Sequence, residues 1–166
     1  MMLFLKNIEV IEVYHWARGK PEPSLLTRTA VKTSTRLRQK RAYMLQVTDV
    51  PSRSINIDYI LETSCEAASS TTNCKYIVCN QYGGGNASKM ATSKDLRHMN
   101  LVPWAGVAAK LSDPVEGQVY CFLPLPVHTN LPVHVNGYFE LSSNRRYVTI
   151  TIRLQIIMLL TIPMKS

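Results

Sequence analysis

The sequence predicts an α+β fold: a mostly antiparallel sheet with one or two helices that together form part of a domain. Two observations carry this prediction. Segments rich in β-branched and aromatic residues, typical of strands, are separated by turn residues, and one segment changes to the helical period. The apolar fraction of 46% is ordinary for a globular chain. The 166 residues suffice for one domain with a modest core.

Strands are predicted where short apolar runs alternate or are bounded by turn residues. The predicted strands are Leu3–Trp16, Ser54–Thr63, Lys75–Gln81, Leu101–Leu111 and Val119–Leu125. RGKPEPS ends the first strand, because its prolines leave few backbone donors, and CEAASSTTN is predicted to be a loop. Gly83-Gly84-Gly85 predicts a sharp turn rather than a phosphate-binding loop, because it matches neither GxxxxGK[ST] nor GxGxxG.

The segment Ala30–Val47 is predicted to be a helix. Ala30, Leu37 and Met44 recur every seven residues and define an apolar stripe, which Leu45 widens. A second, short helix is predicted near Ser93–Met99, with Ser88 or Thr92 as its cap.

The formal net charge of +8 is concentrated near this predicted helix. Arg28, Lys32, Arg36 and Lys40 follow one another at steps of four on the face opposite the apolar stripe, and we call these four residues the basic patch. Like charges at this spacing repel, so we expect the patch to face water or an acidic partner. Nucleic-acid binding is a weaker alternative, since only Tyr43 is near enough to stack on bases.

The chemistry-bearing residues predict neither an enzyme nor a metal or cofactor site. His128 and His134, with Cys121 upstream, lack a fourth ligand at zinc spacing, and no nucleophile elbow or paired-carboxylate cluster is present. Charged residues interrupt the N-terminal apolar stretch before a signal-peptide core forms, so we expect a cytoplasmic protein with reduced thiols. The uncharged run Ile156–Ile162 is too short to span a membrane.

The segment CFLPLPVHTNLPVHVNGYFELSSNRR, Cys121–Arg146, is the most distinctive part of the chain. It predicts a strand, a proline-stiffened loop and a turn at Asn136-Gly137. Arg145 and Arg146 end the segment, and they either contact phosphate or carboxylate groups of another domain or lie in a solvated turn.

This segment, together with LFLKNIEVIEVY, GGGNASKMATS and LVPWAGVAA in the same order, resembles the large repeats of the sacsin family over residues 1–146. The resemblance implies a chaperone or co-chaperone connected with the seventy-kilodalton heat-shock system. It also implies that this chain follows a module similar to the ATPase domain of the ninety-kilodalton heat-shock chaperones. The ATP-binding motifs of such modules are absent from this chain, so the implied role is non-catalytic and acts through protein contacts.

By analogy with related ATPases, Arg145 or Arg146 is the candidate for completing the neighbouring ATPase module. An accessory role of that kind and nucleic-acid binding are the two alternative functions. The family pattern has Gly where this chain has Asn130, and residues 147–166 depart from the family altogether. We therefore expect residues 147–166 to be a divergent apolar tail that comes from an alternative exon or a misassembled gene model.

Overall fold

The computed structural model describes residues 2–47, 49–67, 69–96, 98 and 102–138. These residues form one eight-stranded sheet and two helices, which confirms the predicted α+β class. In chain order the elements are β1 Val10–His15, β2 Ser24–Lys32, α1 Thr35–Gln46, β3 Ile55–Ala67, β4 Ser70–Tyr82, α2 Gly85–Thr92, β5 Trp104–Lys110, β6 Gln118–Cys121, β7 Leu123–His128 and β8 His134–Gly137. Neither of these helices is long and apolar enough to cross a membrane.

The strands lie in the order β1-β2-β3-β4-β5-β8-β6-β7. Neighbours pair antiparallel except β6 and β8, which are parallel because β8 returns between β5 and β6. The hairpin of β3 and β4 forms the centre of the sheet, with a register that runs from Ile55↔Tyr82 to Ala67↔Ser70. The predicted loop CEAASSTTN is therefore wrong, since its two halves pair in a ladder as Cys65↔Thr72, Glu66↔Thr71 and Ala67↔Ser70.

The helix prediction was wrong at its N-terminal end. Residues 24–32 form β2, which is hydrogen-bonded between β1 and β3, and helix α1 begins only at Thr35. Ser34 caps the helix by accepting a hydrogen bond at 3.2 Å from the backbone N–H of Leu37. Pairing on both sides outweighs the helical spacing of the charges, because strand formation here satisfies two rows of backbone groups.

The core lies on one face of the sheet, beneath α1 and the first residues of the chain. Met2, Leu3 and Phe4 are buried against the sheet, so the first strand is shorter than predicted and starts at Val10. Leu37 and Met44 are buried, as the predicted stripe requires. The other members of the larger core cluster are Val31, Leu61, Tyr76, Val78, Ala108 and Tyr120 on the sheet. The opposite face of β3 and β4 remains exposed.

Two further predictions were wrong in position. Helix α2 spans Gly85–Thr92, and Ser93 is its C-terminal cap rather than its first residue. Asn136 and Gly137 lie inside β8 and are both buried, so they do not form a turn. Pairing with β5 makes these two residues part of a strand, because it extends over four consecutive residues from His134 to Gly137.

Candidate interaction surface

The basic patch is divided between two elements. Arg28 and Lys32 lie on β2, whereas Arg36 and Lys40 lie on α1, so the expected single helical face does not form. On a strand the side-chain period is two residues, and Arg28 and Lys32 therefore still share one face of the sheet.

Three members of the basic patch are engaged within the chain. The Arg28 guanidinium contacts carboxylate oxygens of Glu12 at 3.0 Å and Glu66 at 3.5 Å. Lys32 Nζ lies 3.9 Å from a Glu62 oxygen, and Lys40 Nζ donates a hydrogen bond to the backbone carbonyl of Asp58. Acids on neighbouring strands thus offset the positive charge that the sequence shows in isolation.

Two arginines outside the basic patch hold α1 against the start of the chain. Arg38 donates to both carboxylate oxygens of Glu9 at 3.0 and 2.9 Å, and this hydrogen bonding lowers the pKa of Glu9. Arg41 is 3% exposed and donates to the Ile8 carbonyl at 3.4 Å. Burial lowers the pKa of its guanidinium. Sequence reasoning gave Arg38 no role, because its partner lies on another element.

Lys6 makes a contact with Trp104 that no short sequence motif predicted. Its Nζ lies 3.7 Å from the centroid of the Trp104 ring, a cation–π contact that fastens residues near the start of the chain to β5. Burial lowers the pKa of Lys6. Tyr82 also packs against Trp104, with ring centroids 5.4 Å apart.

The glycine triplet forms the predicted sharp turn. Gly83, Gly84 and Gly85 all have positive φ, between 51° and 90°. Two of their amide groups are occupied: Gly83 N donates to Pro103 O at 2.8 Å, and Gly84 N donates to Ser88 Oγ at 2.6 Å. These donors already have partners, so the turn is built for packing rather than for cradling phosphate.

The two histidines of the proline-rich segment have separate environments. His134 is 3% exposed, and its Nδ1 accepts a hydrogen bond at 3.1 Å from the Gln118 backbone N–H. The ring lies between Tyr76 and Tyr120, at centroid distances of 6.2 and 5.5 Å. Burial lowers the pKa of His134 and raises the pKa of both tyrosines to about 12. His128 instead lies exposed, with Nδ1 3.1 Å from a Glu116 carboxylate oxygen.

These contacts give both histidines structural partners. Across the part of the chain that the structure describes, His, Cys, Asp and Glu side chains form no group of three or more that could hold a metal ion. Arg145 and Arg146 lie outside the described residues, so their proposed contact with phosphate or carboxylate groups stays a prediction.

The loop between β7 and β8 folds around Gly117. Gly117 N donates to Leu131 O and Gly117 O accepts from Thr129 N, both at 2.9 Å. The Thr129 hydroxyl donates to Val133 O at 3.0 Å. A Cβ at position 117 would lie 1.9 Å from the Val133 carbonyl oxygen, so only glycine fits. Thr129 and the backbone of Leu131 and Val133 thus hold the loop together by hydrogen bonds around Gly117.

Asn136 supports the neighbouring bend. Its Oδ1 accepts a hydrogen bond at 2.8 Å from the N–H of Phe122, a residue held at a φ of 60° between β6 and β7. Non-glycine residues rarely adopt this conformation, and the hydrogen bond from its amide helps to offset the strain.

A group of exposed apolar side chains lies at the β1 edge of the sheet, on both faces of the hairpin of β1 and β2. We call it the hairpin surface, and its members are Val10, Ile11, Val13, Tyr14, Trp16, Leu25 and Leu26. Every residue of β1 is exposed. A bulge in the ladder leaves Leu26 without an opposite residue on β1, since Val13 pairs with Thr27 and Tyr14 with Leu25. Sequence reasoning missed this surface because it did not find β2.

Comparison with curated proteins finds similarity to sacsin of Homo sapiens, with 36% identity over 95 residues. The match covers 51% of this chain and 2% of sacsin, so the chain spans a small part of that relative's length. The predicted resemblance to sacsin is thereby confirmed for about half of the chain. No protein-family model and no solved structure matches the chain.

Proposed function

We propose that this chain is a non-catalytic segment of a sacsin-like chaperone or co-chaperone, which acts in the cytoplasm through protein–protein contacts. Its similarity to human sacsin supports the family assignment. The hairpin surface is the observation that carries the contact function. By resemblance, the neighbouring ATP-binding module and the seventy-kilodalton heat-shock system are further proposed partners.

The hairpin surface has the character of a binding site for non-native chain segments. Trp16 is 69% exposed, and Tyr14 and Leu26 are each 51% exposed. Side chains alternate along a strand, so Val10 and Tyr14 lie on one face of β1 and Ile11 and Val13 lie on the other. Clusters of exposed apolar side chains on a folded protein mark interaction sites, because leaving them in water is unfavourable. Leu26, as the unmatched residue of the bulge, has no β1 residue opposite it to cover it.

Three ionisable groups with shifted pKa values have contacts within the chain that account for their shifts. A hydrogen bond from Arg38 lowers the pKa of Glu9, and one from Lys75 lowers the pKa of Glu62. Burial lowers the pKa of His134. These three groups lie on different elements, and their partners are the chain's own side chains or the packed core.

The test is whether the full chain suppresses light scattering by a heat-unfolded reporter protein in the absence of ATP. Leu25→Ser combined with Leu26→Ser should weaken this suppression several-fold, because it removes two apolar contacts from the hairpin surface. The matched control combines Leu111→Ser with Leu123→Ser, whose leucines are 51% and 48% exposed, close to the 51% and 45% of Leu26 and Leu25.

The proposal fails if the wild-type chain does not suppress scattering, or if both double variants lose the same amount. Two further arms address the alternatives. Faster ATP hydrolysis when the chain is added to an isolated neighbouring nucleotide module, lost on Arg145→Ala with Arg146→Ala, would favour the accessory role. Salt-sensitive retention on heparin, lost on charge reversal of the basic patch, would favour nucleic-acid binding.

A further inference from the structure

Four aromatic side chains from separate parts of the chain meet beside the start of β5. Tyr82 at the end of β4 pairs directly with Trp104, and their ring centroids lie 5.4 Å apart. Tyr138, which follows β8, packs against the core cluster that contains both residues. Its ring centroid lies 4.8 Å from that of Phe122, in the bend between β6 and β7. We call Tyr82, Trp104, Phe122 and Tyr138 the aromatic cage.

The aromatic cage already holds a cation, which comes from the chain itself. Lys6 Nζ lies 3.7 Å from the centroid of the Trp104 ring and 5.8 Å from that of Phe122. The faces of aromatic rings attract cations within about 6 Å. Among the residues that the structure describes, no carboxylate pairs with this ammonium. The ring faces, and not an acidic partner, therefore hold the positive charge.

A lysine ammonium is not the cation that suits such a site best. It carries three N–H donors and is strongly hydrated, so it loses hydrogen bonds to water when it lies against aromatic rings. Burial lowers the pKa of Lys6, as this loss of hydration requires. A quaternary ammonium group has the same positive charge but no N–H donor. It therefore enters an aromatic cage without leaving a donor unsatisfied.

The backbone at Phe122 is held in a conformation that is rare for a residue with a side chain. Its φ is 60°, and its N–H donates a hydrogen bond at 2.8 Å to Asn136 Oδ1. In this conformation the Phe122 ring packs edge-on against Tyr138. Backbone strain of this kind occurs at sites that clamp ligands. The bend thus fixes one wall of the aromatic cage.

A solute can reach the aromatic cage with little rearrangement. Lys6, Phe122 and Tyr138 are all partly exposed, whereas Trp104 is 4% exposed beneath the Lys6 ammonium. Residues 2–4 are buried in the core and fix the backbone on the N-terminal side of Lys6. Displacement of the ammonium therefore requires rotation of one flexible side chain and no movement of an element.

We propose that the aromatic cage is a binding site for quaternary alkylammonium groups, the chemistry shared by choline and trimethylated lysine, and that Lys6 occupies it until such a group displaces it. The inference goes beyond the proposed function, because it requires neither a client nor a nucleotide module. It involves no residue of the hairpin surface, so failure of either test leaves the other proposal standing.

The first experiment measures choline binding by the fluorescence of Trp104 in the full chain. The chain has two tryptophans, and Trp16→Phe, at a position that is 69% exposed, makes Trp104 the single tryptophan of the parent protein. Lys6→Ala in this parent should bind choline at least about tenfold more tightly, because the competing ammonium is absent. Lys6→Arg is the matched control, since it keeps a cation at this position, and it should bind no more tightly than the parent.

The second experiment separates charge from shape in the Lys6→Ala variant. The probe is the neutral carbon analogue of choline, in which a tert-butyl group replaces the trimethylammonium group. It should bind at least about fivefold more weakly than choline, because the ring faces attract only the cation. This comparison leaves the buried Trp104 unchanged, so it does not depend on whether a cage variant folds.

The source of the alkylammonium group is identified with a short peptide that contains trimethyllysine and with its unmethylated counterpart. Tighter binding of the methylated peptide than of choline would support the site and assign it to a modified protein, and the reverse would support it as a site for a small molecule. Three outcomes would overturn the proposal: no choline binding by the parent or Lys6→Ala, equal affinity of these two proteins for choline, or equal affinity of Lys6→Ala for choline and its neutral analogue.

Discussion

Strand β1 at one edge of the sheet and strand β8, which lies between β5 and β6, have opposite environments. All residues of β1 are exposed, whereas all residues of β8 are buried. At the β8 end, side chains such as His134 and Asn136 accept hydrogen bonds from backbone groups of the adjoining strands. At the β1 end, apolar side chains and backbone groups of an edge strand face outward. The comparison shows that the side chains of β8 contribute to the internal order of the sheet, whereas those of β1 face solvent.

The largest effect should come from adding one methyl group at the β8 end. Gly117→Ala places Cβ 1.9 Å from the Val133 carbonyl oxygen, and backbone must move to relieve the clash. We expect the free energy of unfolding to fall by about 3 kcal/mol or more, as measured by urea denaturation.

Gly19→Ala is the matched control in the turn beyond β1. Its φ is 82°, but nothing lies within 4 Å of an added Cβ. The variant should lose only ~1–2 kcal/mol from backbone strain. Equal losses in the two variants would show that the β8 end is no more tightly packed than the hairpin.

A smaller effect should appear as a pH dependence. Burial lowers the pKa of His134 below its ordinary value of 6.5. In this window the unfolded chain binds a proton before the folded chain does, so stability falls as the pH drops from about 6.5 toward the lower folded pKa. The slope from this residue is at most about 1.4 kcal/mol per pH unit.

The measurement is the free energy of unfolding at a series of pH values for wild type and His134→Gln. The variant should lose this component of the slope. His15→Gln, at the exposed end of the sheet, keeps His134 and should retain it. A wild-type slope that survives in His134→Gln would contradict the assignment.

The smallest effect is expected on the exposed ion pairs of the hairpin. Arg28→Gln removes the contacts with Glu12 and Glu66, but the Arg28 side chain is 35% exposed and screened by water. Stability should change by less than about 1 kcal/mol, and the change should shrink in high salt. Arg36→Gln on α1 is the control for loss of charge alone. A decrease of about 2 kcal/mol or more in the free energy of unfolding would contradict this, because it would show that ion pairs stabilise the hairpin strongly.

Local patterns predicted those elements whose determinants lie close together in the chain. The seven-residue recurrence of Leu37 and Met44 located the buried face of α1, and the glycine triplet located the turn after β4. The predictions that were wrong concern positions whose structure depends on residues far away in the sequence. Lys32 lies on a strand because β2 pairs with β1 on one side and β3 on the other, and Lys32 itself pairs with Glu62 of β3. Helical spacing of charges cannot reveal such pairing.

The candidate surfaces show the same limit. The basic patch was found as residues but not as an electrostatic feature, because Glu12, Glu62 and Glu66 reach it from other strands. Asn136-Gly137 has the composition of a turn, yet pairing with β5 makes it a strand. The hairpin surface depends on β2, whose polar Thr and Arg residues obscure its alternation.

The long central hairpin also bears on the order of folding. Strands β3 and β4 are each 13 residues long and adjacent in sequence, so their ladder forms with little loop-closure entropy. The parallel pairing of β6 with β8 must wait for β7 and its loop. Contacts between near neighbours in sequence form faster, so we expect pulsed hydrogen exchange to protect Val78 before Val135. The central hairpin is then the nucleus on which both ends of the sheet are assembled.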